Sequence, residues 1–272
     1  VEAKKSHSQP LLSVVLATHN EAANLPKCLE PIHLLADEII IVDGESSDDT
    51  VKIAKSFGAK VISTTNKPNF HINKQMAMDE AKGNLVLQLD GDEVVDPGLL
   101  HFIEQAMNSS FQPDIAAWWI KRKNFFMGRF LTKGGQYPDP VIRLYRKGKA
   151  RLPQRDVHEQ MVVDGNTGWA EGHLLHYSNP TFADYLRKFN TYTTFKAQQL
   201  FDSDVKITLL NTIKYLWWLP TKTFFLLYFR HKGFMDAVPG LTFALWSGWH
   251  HSVAYMKLWE MYELQKVGKK NL

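Results

Sequence analysis

Residues 84–92 read NLVLQLDGD, an apolar run that stops on Asp-Gly-Asp. A run of this kind is a buried strand, and its end carries two carboxylates, Asp90 and Asp92, to the strand's carboxyl edge. In an open α/β sheet that edge is where ligands bind. Hard divalent cations prefer carboxylate oxygens, so Asp-x-Asp at such an edge suits a cation held against phosphate. Asp and Gly also build plain turns, and the motif alone leaves that reading open.

The preceding chain supplies the sheet. Strands are expected over 11–17, 38–42, 60–64 and 84–89, alternating with a helix within 21–35 and helices over 48–57 and 72–81. Short apolar strands separated by helices form parallel crossover units. Pro26 is tolerated near a first helical turn, and Asp48 and Asp49 suit the positive end of the next helix. The first strand runs into ATHNEA rather than G-x-G-x-x-G, and no glycine-lysine phosphate loop occurs. Dinucleotide binding and phosphate-loop hydrolysis therefore lose ground.

Beyond Pro97 the pattern changes. A helix is expected over 98–109, then Trp118 and Trp119 stand among basic residues, and strands are expected over 141–145 and 160–163. The loops KGGQYPDP and PQRDVHE are rich enough in Gly, His and acidic residues to build an acceptor pocket. A net charge of +4 without a concentrated basic stripe argues against a nucleic-acid partner. The single cysteine, Cys28, cannot form an internal disulfide and favours a reducing compartment. It reads as helix surface or edge, without a catalytic role. Residues 1–10 are polar, lack a signal peptide's apolar stretch, and are expected to be a flexible lead-in.

The last third contains YLWWLPTKTFFLLYF and VPGLTFALWSGW, aromatic stretches interrupted or flanked by Pro220, Lys222, Arg230, Lys232 and Asp236. Neither is an unbroken span of about 20 apolar residues. Aromatic residues mixed with Lys and Arg favour a segment lying at a membrane surface. The competing reading is a helical subdomain that buries those aromatics against protein.

Taken together, LSVVLATHNEAANL, IIIVDGESSDDTVKIAKSFGAKV and LVLQLDGDEV resemble the family 2 glycosyltransferases with the GT-A fold. GGQYPDPVIRLYRKGKA and DVHE narrow the resemblance to the branch with the lipopolysaccharide core β-glucosyltransferases. It covers about residues 11–200. The fold it implies is an α/β GT-A nucleotide-diphospho-sugar transferase domain over 11–204, followed by a membrane-associated helical region over 205–272.

The implied activity is inverting transfer of a hexose, glucose in the leading case, from a nucleotide sugar, UDP-linked in the leading case, to a lipopolysaccharide core or lipid-linked saccharide. The implied setting is the cytoplasmic face of the cell membrane, with the protein peripheral or monotopic on the membrane surface. Two alternatives stand beside it. One is another sugar transferase of capsule, exopolysaccharide or lipid-linked oligosaccharide synthesis. The other is a catalytically silent, membrane-associated glycan-binding protein.

Residue by residue, the resemblance assigns base and ribose contacts to Thr18, Asn20 and Glu21, although Asn20 is also a natural helix cap. Asp43 matches a uracil- or ribose-contacting Asp, with Ser46 and Ser47 nearby, while Asp48, Asp49 and Thr50 suffice to cap the next helix. Asn73 and Lys74 face the donor by the same analogy, and Lys74 can offset diphosphate charge. Asp92 is the more direct ligand for Mg²⁺ or Mn²⁺, Asp90 reaches ribose or the metal shell, and Glu93 assists or steadies the loop. His176 reaches the metal or the diphosphate.

Glu159 is the expected general base, with Asp139 and Asp156 as rivals and His158 as its orienter. Gly134, Gly135, Gln136 and Tyr137 are placed in the pocket, and Arg187, Lys188 and Tyr192 near phosphate. Arg143 and Arg146 are not both assigned to one site.

Overall fold

In the computed structural model of the chain, residues 11–67, 69–153 and 160–270 are described. The expected flexible segment 1–10 lies outside them. Two compact units emerge. The first comprises residues 1–123 and 139–176, and the second comprises residues 124–138 and 177–272.

The first unit is built on β1 (Leu12–Thr18), β2 (Glu38–Gly44), β3 (Lys60–Thr64) and β4 (Leu85–Leu89). They pair in parallel, in the order β3-β2-β1-β4. The crossovers run through α1 (Leu25–Leu29), α2 (Thr50–Ser56) and α3 (Phe70–Asp79). From β1 the chain moves outward to β2 and β3, then returns to lay β4 on β1's other side. That reversal opens a crevice at the carboxyl ends of β1 and β4.

Alternation along each strand divides the core between the two sheet faces. Leu12, Val14 and Leu16 pack with Ile39 and Ile41 on one face, beneath Leu25, Cys28 and Leu29 of α1. Val15, Ile40 and Val42 pack with Ala77 and Met78 of α3 on the other. Strands buried on both faces read as near-continuous apolar runs, as these do. Cys28 belongs to this core and is fully buried, against its expected place at a helix surface or edge.

A short β5 (Glu93–Val95) and α4 (Pro97–Ala106) follow, then β6 (Ile115–Phe126), β7 (Arg129–Phe130), β8 (Asp139–Arg146), β9 (Ala150–Arg151), β10 (Val162–Val163) and β11 (Asn166–Asn179). Antiparallel β8 joins β4, β6 joins β8, and β11 joins β5. Gly172 has φ +79° and lies so close to α4 that a Cβ there would sit 2.0 Å from the Leu99 amide nitrogen. Asp96 caps α4 by accepting from the Leu99 amide at 2.8 Å, and it also accepts from the His173 amide at 2.9 Å.

In the second unit, Thr181 caps α5 (Phe182–Asp202) by accepting from the Asp184 amide. This helix packs on α6 (Ala237–Lys270) through Ala197, Leu200, Ala254, Tyr255 and Leu258. Asp236 is buried and accepts from the Thr132 and Lys133 amides at 2.9 and 2.7 Å, with Arg129 3.3 Å away.

The expected fold class is corrected here. The mixed α/β architecture is present, but the C-terminal clause fails, because no helix among the described residues is long and apolar enough to cross a membrane. Pro220, Lys222 and Arg230 break up the first aromatic stretch. In the second, small residues serve packing within the unit. Gly248 lies where a Cβ would meet the Pro220 carbonyl oxygen at 2.7 Å. Trp217 and Trp218 nevertheless remain 72% and 63% exposed.

Candidate active site

The carboxyl ends of β1 and β2 are joined by side chains. Thr18 Oγ1 donates to Asp43 Oδ1 at 3.1 Å, and both residues are buried. Asp43 also accepts from the Ser46 amide at 2.9 Å and the Ser46 hydroxyl at 2.6 Å. Asn20, at φ +55°, accepts from the Ser47 amide at 2.8 Å and so links the two loops. It does not cap the next helix, whose N-cap position is Asn24. Asp48 does what its position suggests, accepting from the Thr50 and Ala22 amides at the start of α2.

Glu21 is brought against the Asp-Gly-Asp turn. A Cβ on Gly91 would meet Glu21 Cγ at 2.9 Å, so the turn requires glycine for this approach. Glu21 Oε2 accepts from Asn24 Nδ2 at 2.8 Å. Thr18, Glu21, Asp43, Asp90 and Asp92 thus gather at one edge of the sheet in the first unit.

Asp90 is gripped from several sides. Its Oδ2 accepts from Arg143 Nη2 at 2.6 Å, and its Oδ1 lies 2.5 Å from Lys74 Nζ and accepts from Gln88 Nε2 at 3.1 Å. Burial raises the Asp90 pKa, but Arg143 and Lys74 outweigh it and hold the carboxyl well below its ordinary value. Lys74 is itself buried and points into this cluster, unlike most helical lysines. Its neighbour Asn73 donates to the Thr65 carbonyl at 3.1 Å, while its buried Oδ1 has no hydrogen-bond partner among the described residues.

Asp92 has a different neighbour. Register on β11 sets His176 opposite Glu93, and His176 Nε2 comes 3.5 Å from Asp92 Oδ2. A neutral imidazole is itself a metal ligand, whereas Lys and Arg are not. No group of three or more His, Cys, Asp or Glu among the described residues forms a ready-made metal set. Mg²⁺ is commonly held by one or two carboxylates together with substrate phosphates. Asp92 with His176 fits a cation that arrives with a diphosphate, and Asp90 is already committed to cations of the chain.

Four residues of the cluster escape motif reading in part or altogether: Gln88, Glu93, Arg122 and Arg143. Glu93 is completely buried. Its Oε2 accepts from the Asp90 amide at 3.0 Å and Arg143 Nε at 3.1 Å. Its Oε1 accepts from Arg143 Nη2 at 3.0 Å and Arg122 Nη1 at 3.1 Å. Burial lowers the Arg143 pKa, but Asp90 and Glu93 reverse this and keep the guanidinium charged. Arg146 has a separate, structural place, donating to the Ile115 and Phe111 carbonyls and lying 5.5 Å over Trp118.

Glu159, His158 and Asp156 lie outside the described residues. Asp139 accepts from Arg122 Nε at 3.0 Å and Nη2 at 2.7 Å. Gly134 and Gly135, at φ +64° and +73°, belong to the second unit with Gln136 and Tyr137, and the Gly134 amide donates to the His231 carbonyl. In the same unit, Arg187 pairs with Asp184 at 2.7 Å and Lys188 donates to the Ser178 carbonyl at 2.7 Å. Tyr192 is exposed.

The family described as Glycosyl transferase family 2 matches the chain over residues 13–152. The chain is 30% identical over 246 residues to the lipopolysaccharide core biosynthesis glycosyltransferase LpsC of Rhizobium meliloti, covering 86% of this chain and 88% of that protein. It is 29% identical to an uncharacterised glycosyltransferase of Rickettsia typhi, covering 84% and 82%. Among solved structures, Staphylococcus aureus TarS 1–349 with UDP overlaps it at TM-score 0.46 and 15% identity, covering 84% of this chain and 75% of that one.

Proposed function

The chain belongs to glycosyl transferase family 2, and we propose that it transfers a hexose, glucose in the leading case, from a UDP sugar to a lipopolysaccharide core or lipid-linked saccharide. The observation that carries this reading is the strand-edge cluster, where Thr18, Asp43 and Glu21 converge with Asp90 and Asp92. In the proposed complex, Thr18, Asn20, Glu21 and Asp43 bind the nucleoside. Lys74 and Asn73 flank the diphosphate side. Asp90, fixed by Arg143 and Lys74, orients the donor, and Asp92 with His176 holds Mg²⁺ or Mn²⁺.

When bound, the cation neutralises charge that builds on the departing diphosphate. Glu159 accepts the proton of the acceptor hydroxyl as that oxygen attacks the anomeric carbon. The new C–O bond forms while the bond from the anomeric carbon to the diphosphate oxygen breaks, and the nucleoside diphosphate leaves with the electron pair. Attack opposite the leaving group inverts the anomeric centre. The similarity to the Rhizobium meliloti enzyme supports a core-saccharide acceptor. That acceptor, rather than a spanning helix, would bring the enzyme to the cytoplasmic face of the membrane.

The test is incubation of purified protein and envelope lipid extract with Mn²⁺ or Mg²⁺ and labelled nucleotide sugars, with products read by mass spectrometry. The reading predicts metal-dependent transfer from one donor, abolished in Asp92→Ala and Glu159→Ala. Nucleotide-sugar turnover that survives both substitutions would remove the assigned roles. A folded protein that binds no nucleotide would remove the reading itself.

A further inference from the structure

Glu93 is an unusual residue to find at zero exposure, because it belongs to neither expected donor contact and sits just beyond the Asp-Gly-Asp turn. A carboxylate offers about four acceptor directions, and those of Glu93 are met by the Asp90 amide, two nitrogens of Arg143 and one of Arg122. Its two arginines point to different partners. Arg143 continues to Asp90 and Gln88, at 2.6 and 2.5 Å. Arg122 continues to Asp139, its direct cross-strand partner in the β6–β8 register. Three cations, Lys74, Arg122 and Arg143, thereby face three carboxylates, Asp90, Glu93 and Asp139.

The Arg122–Asp139 pair also has a particular place along the chain. Residues 124–138 leave the first unit after Lys123 and return to it at Asp139. The pair therefore closes the neck of that excursion, while its other hydrogen bond reaches the residue that holds the Asp90 amide. Glu93 is the shared anchor of the turn and the neck.

On the reading of this edge as the donor site, we infer that Glu93 and Arg122 are positioning residues, fixing the Asp90–Asp92 turn and tying it to the neck at Asp139. Neither touches the reacting atoms. Arg122 acts through Glu93, and Glu93 acts through the Asp90 amide and Arg143. The arrangement demands a planar fork at position 122, since one guanidinium serves both Asp139 and Glu93. Lysine keeps the charge but has no such fork.

Cys28 provides a reporter that needs no ligand. It is the chain's single cysteine, fully buried, and its Sγ donates to the Asp90 carbonyl at 3.5 Å. The experiment compares wild type, Arg122→Lys and Glu93→Gln in the full chain. Labelling of Cys28 by DTNB is measured without ligand, global stability is measured by urea denaturation, and kcat and KM are measured with UDP-glucose and Mn²⁺. Arg122 lies at the edge of the cluster, so its lysine variant remains informative should Glu93→Gln fold poorly.

Loss of a partner that orients a metal-binding residue typically costs about 10–100-fold in activity or metal affinity. The expected result for Arg122→Lys is a kcat loss in that range with a smaller change in KM. Cys28 labelling should accelerate about tenfold beyond what its urea stability accounts for, an estimate scaled to the same loss of orientation. Wild-type labelling and wild-type kcat in both variants would overturn the inference. So would faster labelling that merely tracks lowered global stability, because the role would then be structural. The labelling arm is independent of the donor: a protein that turned over no nucleotide sugar would defeat the proposed function, while the turn's dependence on Arg122 would still be read directly.

Discussion

Replacing Arg143 by Met keeps much of the side chain's length and removes the charge at the centre of the buried cluster. Four hydrogen bonds disappear, two to Glu93 and one each to Asp90 and Gln88. Breaking a buried ion pair by deleting one partner costs about 3–5 kcal/mol, because the remaining charge stays buried. Arg122 still faces Glu93 and Lys74 still faces Asp90, so the lower end applies, about 3 kcal/mol. That corresponds to about two decades in the unfolding equilibrium.

Urea denaturation followed by tryptophan fluorescence measures the loss, with the fully buried Trp118 as one reporter within the first unit. Adding Glu93→Gln to Arg143→Met should cost less than the sum of the single changes, since the two residues share bonds. A pH series carries a second signature. Asp90's folded-state pKa is depressed, so its stabilisation is present above the unfolded value of about 3.9 and is lost as pH falls towards the folded value. Without Arg143 the folded pKa rises towards the unfolded value, so the acid-dependent part of the stability should shrink and be exhausted at a higher pH. A cost below about 1 kcal/mol, within the range of an exposed ion pair, would refute the reasoning. Strict additivity with Glu93→Gln would do the same.

Gly91→Ala forces Glu21 to move, because the new Cβ would meet its Cγ at 2.9 Å. It should weaken UDP binding by about tenfold, the equivalent of about 1.4 kcal/mol, measured by calorimetry, with little change in melting temperature. Gly172→Ala places a Cβ 2.0 Å from the Leu99 amide nitrogen at a φ of +79°. It should destabilise by more than about 3 kcal/mol, as overpacking and a disallowed backbone combine, and thermal melting would show it. Asp236→Asn leaves the shape but removes the charge that Arg129 and the Thr132 and Lys133 amides face. A loss of about 1–3 kcal/mol is expected by urea denaturation.

The parallel half of the fold was legible because its strands are buried on both faces and its crossovers are short. LSVVLAT, EIIIVDG and LVLQL declare themselves as apolar runs, and each ends where polar residues begin. Thr18, Asp43, Asp90 and Asp92 follow from those endings. The buried ion network was less visible, because its members come from α3, from β5, β6 and β8 and from the end of β4, and no spacing rule connects them. A usable signal was present in VIRLY and LVLQL: Arg143 and Gln88 interrupt strands that are otherwise buried on both faces. A buried guanidinium must have carboxylates nearby, and Glu93 and Asp90 were the available acids.

The C-terminal region poses a similar difficulty. Its aromatic composition suits a membrane surface and helix–helix packing alike, and composition does not distinguish the two; what is excluded among the described residues is a helix that crosses a membrane. Tyr215 stacks on Tyr255 at 5.0 Å, and Phe189 meets Trp246 edge-on at 5.1 Å. Lys74 shows the reverse case. On sequence its place facing the donor rests on analogy alone, and the turn of α3 that buries it delivers its ammonium to Asp90.

The central claim is that the carboxyl edge of β1, β2 and β4 receives the nucleotide sugar. Hydrogen exchange of the full chain with and without UDP-glucose and Mn²⁺ tests it without requiring an acceptor. The account predicts slowed exchange over residues 18–21, 43–47 and 90–93, with loss of that protection in Asp92→Ala. Protection confined to other parts of the chain, with these three segments unchanged at saturating ligand, would contradict it.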